Sequence, residues 1–194
     1  MKISIISLTT LSALQAITFA GTHHTQQREM EHSSQPANVF NAGEFQLDAF
    51  GVYGVGKGPS HAGPFAEHAW GGGLGLNYFW TENLGVGMDV DILHGRENSA
   101  RGNDTKDFGQ YTASLIYRMP YEALALAPYA YAGGGVTSNA GTLASAHAGL
   151  GVEYRFVPNK IGLFADARWT YYGDRAGSGD QNNVQIRSGI RFVF

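Results

Sequence analysis

The sequence predicts an all-β fold, an eight-stranded antiparallel transmembrane up-and-down β-barrel. Three observations indicate this fold. From residue 44 to the last residue, apolar and polar side chains alternate in about eight segments of roughly ten residues, the length that a tilted strand needs to cross a bilayer. The predicted connections between segments alternate between long and short, as in membrane barrels. Aromatic residues collect near the segment ends, where two interfacial girdles are expected.

Composition narrows the class of protein further. Only 15% of the residues are charged, Gly contributes 27 residues, and no internal run of about 18 apolar residues is present. A helical membrane span is therefore not predicted. The net charge of -3 gives no reason to expect a nucleic-acid partner. Because the chain has no Cys, disulfides, thiolate metal sites and lipidated cysteine anchors are excluded.

The N-terminal region divides into two predicted segments before the barrel begins at residue 44. Residues 1–20 have the composition of an export signal, with Lys2 at the start, a mainly apolar core and the small-x-small sequence Thr18-Phe19-Ala20. We expect cleavage between Ala20 and Gly21. Residues 21–43 are polar and lack sustained periodicity, which predicts a flexible N-terminal extension.

The first four predicted strands alternate cleanly. In the first of them, Phe45 and Leu47 fall on one parity while Gln46 and Asp48 fall on the other. Their predicted bounds are Glu44–Tyr53, His68–Trp80, Leu84–Leu93 and Phe108–Met119. The predicted connections are a Gly/Pro-rich loop at Gly54–Glu67, a tight turn at Thr81–Asn83 and a long charged loop at Gly95–Asp107.

The second four strands include the weakest and the strongest patterns. Their predicted bounds are Leu124–Val136, Ala144–Phe156, Ile161–Tyr172 and Val184–Phe194, joined through loops at Thr137–Thr142 and Gly173–Asn183 and a tight turn at Val157–Lys160. The first of these carries Pro128, which needs a ladder position that tolerates a missing N–H. The last, VQIRSGIRFVF, alternates strictly and ends on Phe194. A soluble protein seldom ends on an exposed Phe, so we expect this strand to meet lipid and close the barrel.

These features resemble the small outer-membrane β-barrel families of Gram-negative bacteria, which include the OmpA transmembrane domain and the OmpX/Ail type. The resemblance covers Glu44–Phe194 and the terminal sequence SGIRFVF. It implies an outer-membrane location, contact with outer-membrane lipid and lipopolysaccharide, and recognition by the barrel-assembly machinery, with Phe192 and Phe194 as the assembly signal. We expect a monomer. A soluble lipocalin-like barrel is the alternative fold, and the strand-end aromatic residues favour the membrane.

Parity places a balanced set of charged residues on the inner face of the predicted barrel. Five acidic and five basic side chains share this face, and Glu44 lies at its rim. The predicted lumen ion-pair network is Asp48, Asp89, Asp91, Arg118, Glu153, Arg155, Asp166, Arg168, Arg187 and Arg191. Eight strands leave an interior just wide enough for side chains, and unpaired charges there would be costly. We therefore predict a lumen plugged by paired side chains, with a narrow or gated channel for ions or small solutes as the alternative.

Several residues resemble parts of catalytic or metal sites. Asp89, Asp91 and His94 resemble the acidic pair and His at the mouth of outer-membrane proteases, but the predicted depth of Asp89 favours ion pairing. Ser145 and His147 share a face, as acyl-transfer chemistry requires, yet Glu153 lies about 20 Å along the strand from His147. The histidines considered for metal binding are His23, His24 and His32 in the extension and His61, His68 and His94 near the long loops.

The sequence therefore predicts an outer-membrane protein with no catalytic residues, no cofactor and no metal. Its expected role is structural, in membrane integrity, or adhesin-like, through surface loops that contact a ligand. A narrow channel and an outer-membrane lipid-modifying enzyme are the rival functions.

Overall fold

Eight antiparallel strands close into one barrel. The computed structural model of the protein describes residues 38–57, 68–99, 102–138, 142–172 and 181–194. Each strand pairs with its neighbours in sequence, and β1 pairs with β8 to complete the circle. The strands are β1 Glu44–Lys57, β2 Ala69–Phe79, β3 Leu84–Ser99, β4 Gly102–Arg118, β5 Leu126–Ser138, β6 Thr142–Val157, β7 Ile161–Tyr172 and β8 Gln181–Val193. The predicted fold class is confirmed.

The two faces of the barrel have the polarity that a bilayer requires. Large apolar side chains point outward, where Leu74 is 60% exposed and Met88 is 66% exposed. Arg118 and Arg168 point inward and are fully buried. A soluble barrel would carry its apolar residues inside, so the lipocalin-like alternative is wrong. Exposed apolar area on this scale is stable only when lipid covers it.

Both predicted aromatic girdles lie on the outer face. Trp80, Tyr117 and Phe156 are exposed near the end of the barrel that carries the short turns. Tyr53 and Trp70 are exposed near the opposite end, which we call the long-loop end. In the described part of the chain, no helix has the length and apolar character to cross a membrane.

The predicted loop at Gly95–Asp107 is wrong, because residues 95–99 continue β3 and residues 102–107 belong to β4. β3 and β4 pair without interruption from Leu84 opposite Tyr117 to Ser99 opposite Gly102. Outside the membrane a strand needs no apolar face. A charged sequence can therefore continue the β3–β4 backbone pairing that begins in the transmembrane part. Two other strands extend into the loops predicted at Thr137–Thr142 and Gly173–Asn183. β5 reaches Ser138, and β8 begins at Gln181. The long–short rhythm of connections is therefore not kept at the β3–β4 and β5–β6 hairpins.

The β3–β4 hairpin projects beyond the adjacent strands. β2 pairs with β3 only as far as Gly95, and β5 pairs with β4 only as far as Gly109. Within the described part of the chain, residues 96–99 and 102–105 consequently pair only with each other. Four rungs at about 3.3 Å each give a two-stranded extension of about 13 Å. We call residues 96–99 and 102–105 the projecting hairpin.

Residues 38–43 differ from the flexible extension predicted for residues 21–43. Phe40 has no exposed surface and lies within the short-turn end of the barrel. Gly43 donates its backbone N–H to Phe79 O at 2.7 Å, which ties the segment to β2. The predicted signal segment and residues 21–37 lie outside the described residues.

Candidate functional site

The lumen begins, at the short-turn end, with a carboxylate held by two arginines. Glu44 Oε1 accepts from Arg118 Nη1 at 2.8 Å and from Arg155 Nη2 at 2.5 Å. The ring of Phe40 lies against both guanidinium groups, at 5.1 Å from Arg118 Cζ and 4.8 Å from Arg155 Cζ. Such contacts are attractive because the ring face is negative. Glu44, which the sequence predicted to lie at the rim, is 4% exposed and is therefore buried at this end.

The chain segment around Phe40 is fastened to this end by polar contacts. Arg118 Nη2 donates to Asn41 O at 3.2 Å. Arg155 Nη1 donates to Val39 O at 3.3 Å. Asn41 Nδ2 also donates to Asn159 Oδ1, in the β6–β7 turn, at 2.9 Å. These bonds hold Phe40 across the short-turn end, and we call residues 39–41 the end plug.

A second set of ion pairs joins the closing strand to the first. Arg191 donates to both oxygens of Asp48, at 2.7 and 2.6 Å, in the bidentate geometry that makes such pairs strong. Its third nitrogen, Nη1, donates to Glu153 Oε2 at 2.6 Å. Asn77 Nδ2 donates to Asp48 Oδ2 at 2.9 Å, and Arg155 Nε bonds Glu153 Oε1.

Further along the lumen, two arginines share one carboxylate. Arg187 Nη1 and Arg168 Nη2 both donate to Asp89 Oδ2, at 2.8 and 2.6 Å. Arg187 also donates to both oxygens of Asp166, at 2.8 and 2.9 Å. Asp91 is different, because its closest cation is Arg168 Nη1 at 4.0 Å and neither of its oxygens has a hydrogen-bond partner within the described residues.

Aromatic rings fill the space between the charged groups. The Arg187 guanidinium lies 5.1 Å from the ring centre of Phe50, and the Arg191 guanidinium lies 4.8 Å from that of Phe164. Tyr129 and Tyr131 each donate to a different oxygen of Asp166, both at 2.9 Å. The interior is thus a packed layer of rings and ion pairs.

These inner rings were missed in the sequence, although parity carries the signal. Phe50 lies two residues after Asp48, and Phe164 lies two residues before Asp166. Glycines provide the room that these groups need. A Cβ at Gly75 would lie 2.6 Å from Asp89 Oδ1, and one at Gly151 would lie 2.5 Å from the Tyr129 ring.

The residues considered for catalysis do not assemble into a catalytic group in the described part of the chain. Asp89 is bonded to its arginines, whereas His94 lies on the outer face against Trp70 and Asp107. His147 is buried and its Nε2 bonds Ser114 Oγ at 2.7 Å, which is a different hydroxyl from the Ser145 considered in the sequence.

The described histidines that were considered for metal binding do not form a common site either. His68 Nδ1 bonds Tyr53 OH at 2.6 Å on the outer face. Among the described residues, no group of three His, Cys, Asp or Glu side chains is placed to hold a metal ion. His23, His24, His32 and His61 lie outside the described residues.

The two terminal aromatic residues lie on the closing seam. Phe192 points outward from β8 and is 38% exposed. Phe194, directly after the strand, is 78% exposed. Phe194 exchanges two backbone hydrogen bonds with Phe45, at 2.9 and 3.2 Å. The last residue is thus paired with β1, and its ring faces the lipid.

The family model described as outer membrane protein beta-barrel domain matches residues 10–192. The chain belongs to this family. The protein is therefore an outer-membrane β-barrel of a Gram-negative bacterium, and the location predicted from the sequence is confirmed. No curated protein sequence matches the chain.

Solved structures of small outer-membrane barrels share the fold. Neisserial surface protein A is 17% identical, with a TM-score of 0.60, and the match covers 77% of this chain and 98% of that one. The N-terminal barrel of Pseudomonas aeruginosa OprF is 20% identical, with a TM-score of 0.52, covering 79% of this chain and 99% of that one. Ail, the attachment invasion locus protein of Yersinia pestis, is 18% identical, with a TM-score of 0.52 and the same two coverages, 79% and 99%.

Proposed function

We propose that this outer-membrane barrel is a non-enzymatic, adhesin-like scaffold that carries the projecting hairpin on a non-conducting lumen. The observation that carries the proposal is the ion-paired interior. Between the depth of Glu44 and the depth of Asp89 in the lumen, each inward carboxylate bonds at least one arginine. Aromatic rings occupy the space between these ion pairs. A lumen filled in this way favours a function outside the barrel over a function in transport.

The projecting hairpin is the surface best suited to such a function. Its backbone is held by four rungs beyond the adjacent strands, so it presents a preformed edge instead of a loop that must be ordered on binding. A preformed surface loses less conformational entropy when it binds. Residues 96–107 contain three basic and three acidic residues, so the charge favours a protein surface of mixed charge over a polyanion.

An architectural relative motivates the choice of ligands to test. Ail is by name an attachment invasion locus protein, and it has been solved in complex with the heparin analogue sucrose octasulfate. The outer face of the present barrel contacts lipid and lipopolysaccharide in this proposal. Phe192 and Phe194 serve the barrel-assembly machinery, and the barrel acts as a monomer.

The test is a hairpin truncation on the intact barrel. Residues 96–105 are replaced by Asn-Gly, which joins the paired residues Gly95 and Lys106 through a two-residue turn. The barrel is expressed in a non-adherent Gram-negative strain, and attachment to cultured epithelial cells is measured, with immobilised heparin as the polyanion that the mixed charge disfavours. We expect attachment by the full barrel and loss of attachment in the truncated one.

A matched control separates the hairpin from general damage at the same end. The control replaces residues 139–141 by Asn-Gly between the paired residues Ser138 and Thr142. Heat-dependent gel mobility verifies that both variants fold. Attachment that survives the β3–β4 truncation, or that is lost equally in both variants, contradicts the proposal.

A further inference from the structure

One part of the lumen contains a carboxylate, Asp91, whose oxygens accept no hydrogen bond from the described residues. Asp91, Gln110 and Thr137 lie directly opposite one another on β3, β4 and β5. All three side chains are buried on the inner face. Side chains at such positions lie about 5 Å apart, so they form one continuous polar wall near the long-loop end.

A second polar wall lies across the lumen. Arg168 is opposite Gln185, and Thr170 is opposite Asn183, on β7 and β8. Two contacts connect the walls. Gln185 Nε2 donates to Gln110 Oε1 at 3.3 Å, and Arg168 Nη1 lies 4.0 Å from Asp91 Oδ2. We call the facing side chains of these two walls the polar chamber.

The polar chamber is lined by buried oxygen atoms that lack hydrogen-bond partners within the described residues. These atoms are both carboxylate oxygens of Asp91, the hydroxyl of Thr137, and the side-chain carbonyl oxygens of Asn183 and Gln185. Asp91 is 1% exposed and Gln185 is fully buried. Buried polar atoms are nearly always bonded to protein, water or an ion. Their concentration in one place therefore indicates a bound polar species.

The charge of the lumen indicates the sign of that species. Six inward carboxylates, Glu44, Asp48, Asp89, Asp91, Glu153 and Asp166, stand against five inward arginines, Arg118, Arg155, Arg168, Arg187 and Arg191. Six negative and five positive charges leave one negative charge. Each carboxylate except Asp91 has an arginine nitrogen within 2.8 Å. The uncompensated charge therefore lies on Asp91.

We infer that the polar chamber binds one partly hydrated monovalent cation, of the Na⁺ or K⁺ class, beside Asp91. A single positive charge neutralises the lumen, and the neutral oxygens of Thr137, Thr170 and Gln185 provide the remaining ligands directly or through water. Water shared with the ion also satisfies the unpaired Arg168 Nε and Nη1. A divalent ion does not fit, because the next carboxylate, Asp89, is bonded to two arginines.

The cation is structural and is not a conducted ion. An apolar cluster of Val52, Ala69, Leu93, Phe108 and Tyr172 lies at the next inward positions toward the long-loop end. Leu93 follows Asp91 by two residues, and Tyr172 follows Thr170 by two. The cluster thus lies on the long-loop side of the polar chamber, and the ion pairs described above lie on its other side.

Anomalous diffraction gives the direct test. Crystals of the full barrel grown with Rb⁺ or Tl⁺ are expected to show one anomalous peak in the polar chamber, within about 3.5 Å of a carboxylate oxygen of Asp91. The same crystals of Asp91→Asn are expected to lack the peak. A chamber of the unsubstituted protein that holds only water, without an anomalous peak, overturns the inference.

Thermal unfolding in a non-ionic detergent provides a second measurement. The midpoint is compared in NaCl, KCl and choline chloride at equal ionic strength. Above the dissociation constant, we expect a rise on the order of 3–5 °C for each tenfold increase in Na⁺ or K⁺, and no such rise in Asp91→Asn. Asp107→Asn is the control, because its carboxylate is exposed on the outer face. Equal midpoints in sodium, potassium and choline, or a cation response that persists in Asp91→Asn, overturn the inference.

Discussion

Replacing Arg191 by Met removes the arginine that bonds Asp48 across the closing seam and Glu153 on β6. Arg191 makes three hydrogen bonds of 2.6–2.7 Å, two to Asp48 and one to Glu153. Glu153 keeps its bond to Arg155 in the variant. Asp48 keeps only neutral donors such as Asn77, so one buried carboxylate loses its counter-charge.

The expected loss of unfolding free energy comes from the isolated Asp48 carboxylate. It is not the sum of the three hydrogen bonds that Arg191 makes. Removing one partner of a buried ion pair costs about 3–5 kcal/mol, mainly because a charge is left unpaired. Met keeps apolar contact with the Phe164 ring, which lies 4.8 Å from the guanidinium, so lost packing adds little. The double variant Arg191→Met, Asp48→Asn carries no isolated charge. We expect it to be more stable than Arg191→Met alone, within about 1–2 kcal/mol of the unsubstituted barrel.

The assay is urea unfolding of the refolded barrel in lipid vesicles, followed by Trp fluorescence. Lys160→Met, at an exposed residue of the β6–β7 turn, is the control for loss of a positive charge. A free energy of unfolding for Arg191→Met within about 0.5 kcal/mol of the Lys160→Met value would refute this prediction. A double variant that is less stable than the single variant would refute it as well.

Three further predictions concern side-chain packing, backbone packing and ion conductance. Phe40→Ala leaves a void between two guanidinium groups, so we expect a loss of about 3 kcal/mol in urea unfolding, and an unchanged midpoint would contradict the role of the end plug. Gly133→Ala places a Cβ 1.9 Å from the backbone oxygen of Ala113, whereas a Cβ at Gly51 meets its nearest atom at 3.9 Å; we expect folded, heat-modifiable protein from Gly51→Ala only. Planar-bilayer recordings of the refolded barrel are expected to show no single-channel steps, and reproducible steps would favour the gated channel.

Strand parity predicted which side chains enter the lumen but not how they pair. Alternation alone places Asp48, Arg187 and Arg191 inside. It does not give the stagger between strands, so it cannot show that Asp89 bonds Arg168 and Arg187 while Asp91 bonds neither. The depth of a side chain along the barrel axis depends on the register of every pair of strands. That register is fixed only when the barrel closes.

Two features were missed because local composition suggested something else. The projecting hairpin is charged, and a charged sequence between two apolar segments is typical of a loop; its pairing is inherited from the transmembrane ladder below it. Phe40 lies in a polar segment with no periodicity, and its burial depends on Arg118 and Arg155, which are far away in sequence. In both cases the deciding contacts are long-range.

The position of Asp48 directly opposite Arg191 has a consequence for how the barrel assembles. A slip of two residues between the first and last strands keeps every apolar side chain in lipid and every polar one inside, so hydrophobicity does not discriminate against it. Such a slip would place Asp48 opposite Gly189 or Val193, where no counter-charge is available. The bidentate pair therefore favours the observed register of the seam, in which Asp48 keeps its counter-charge.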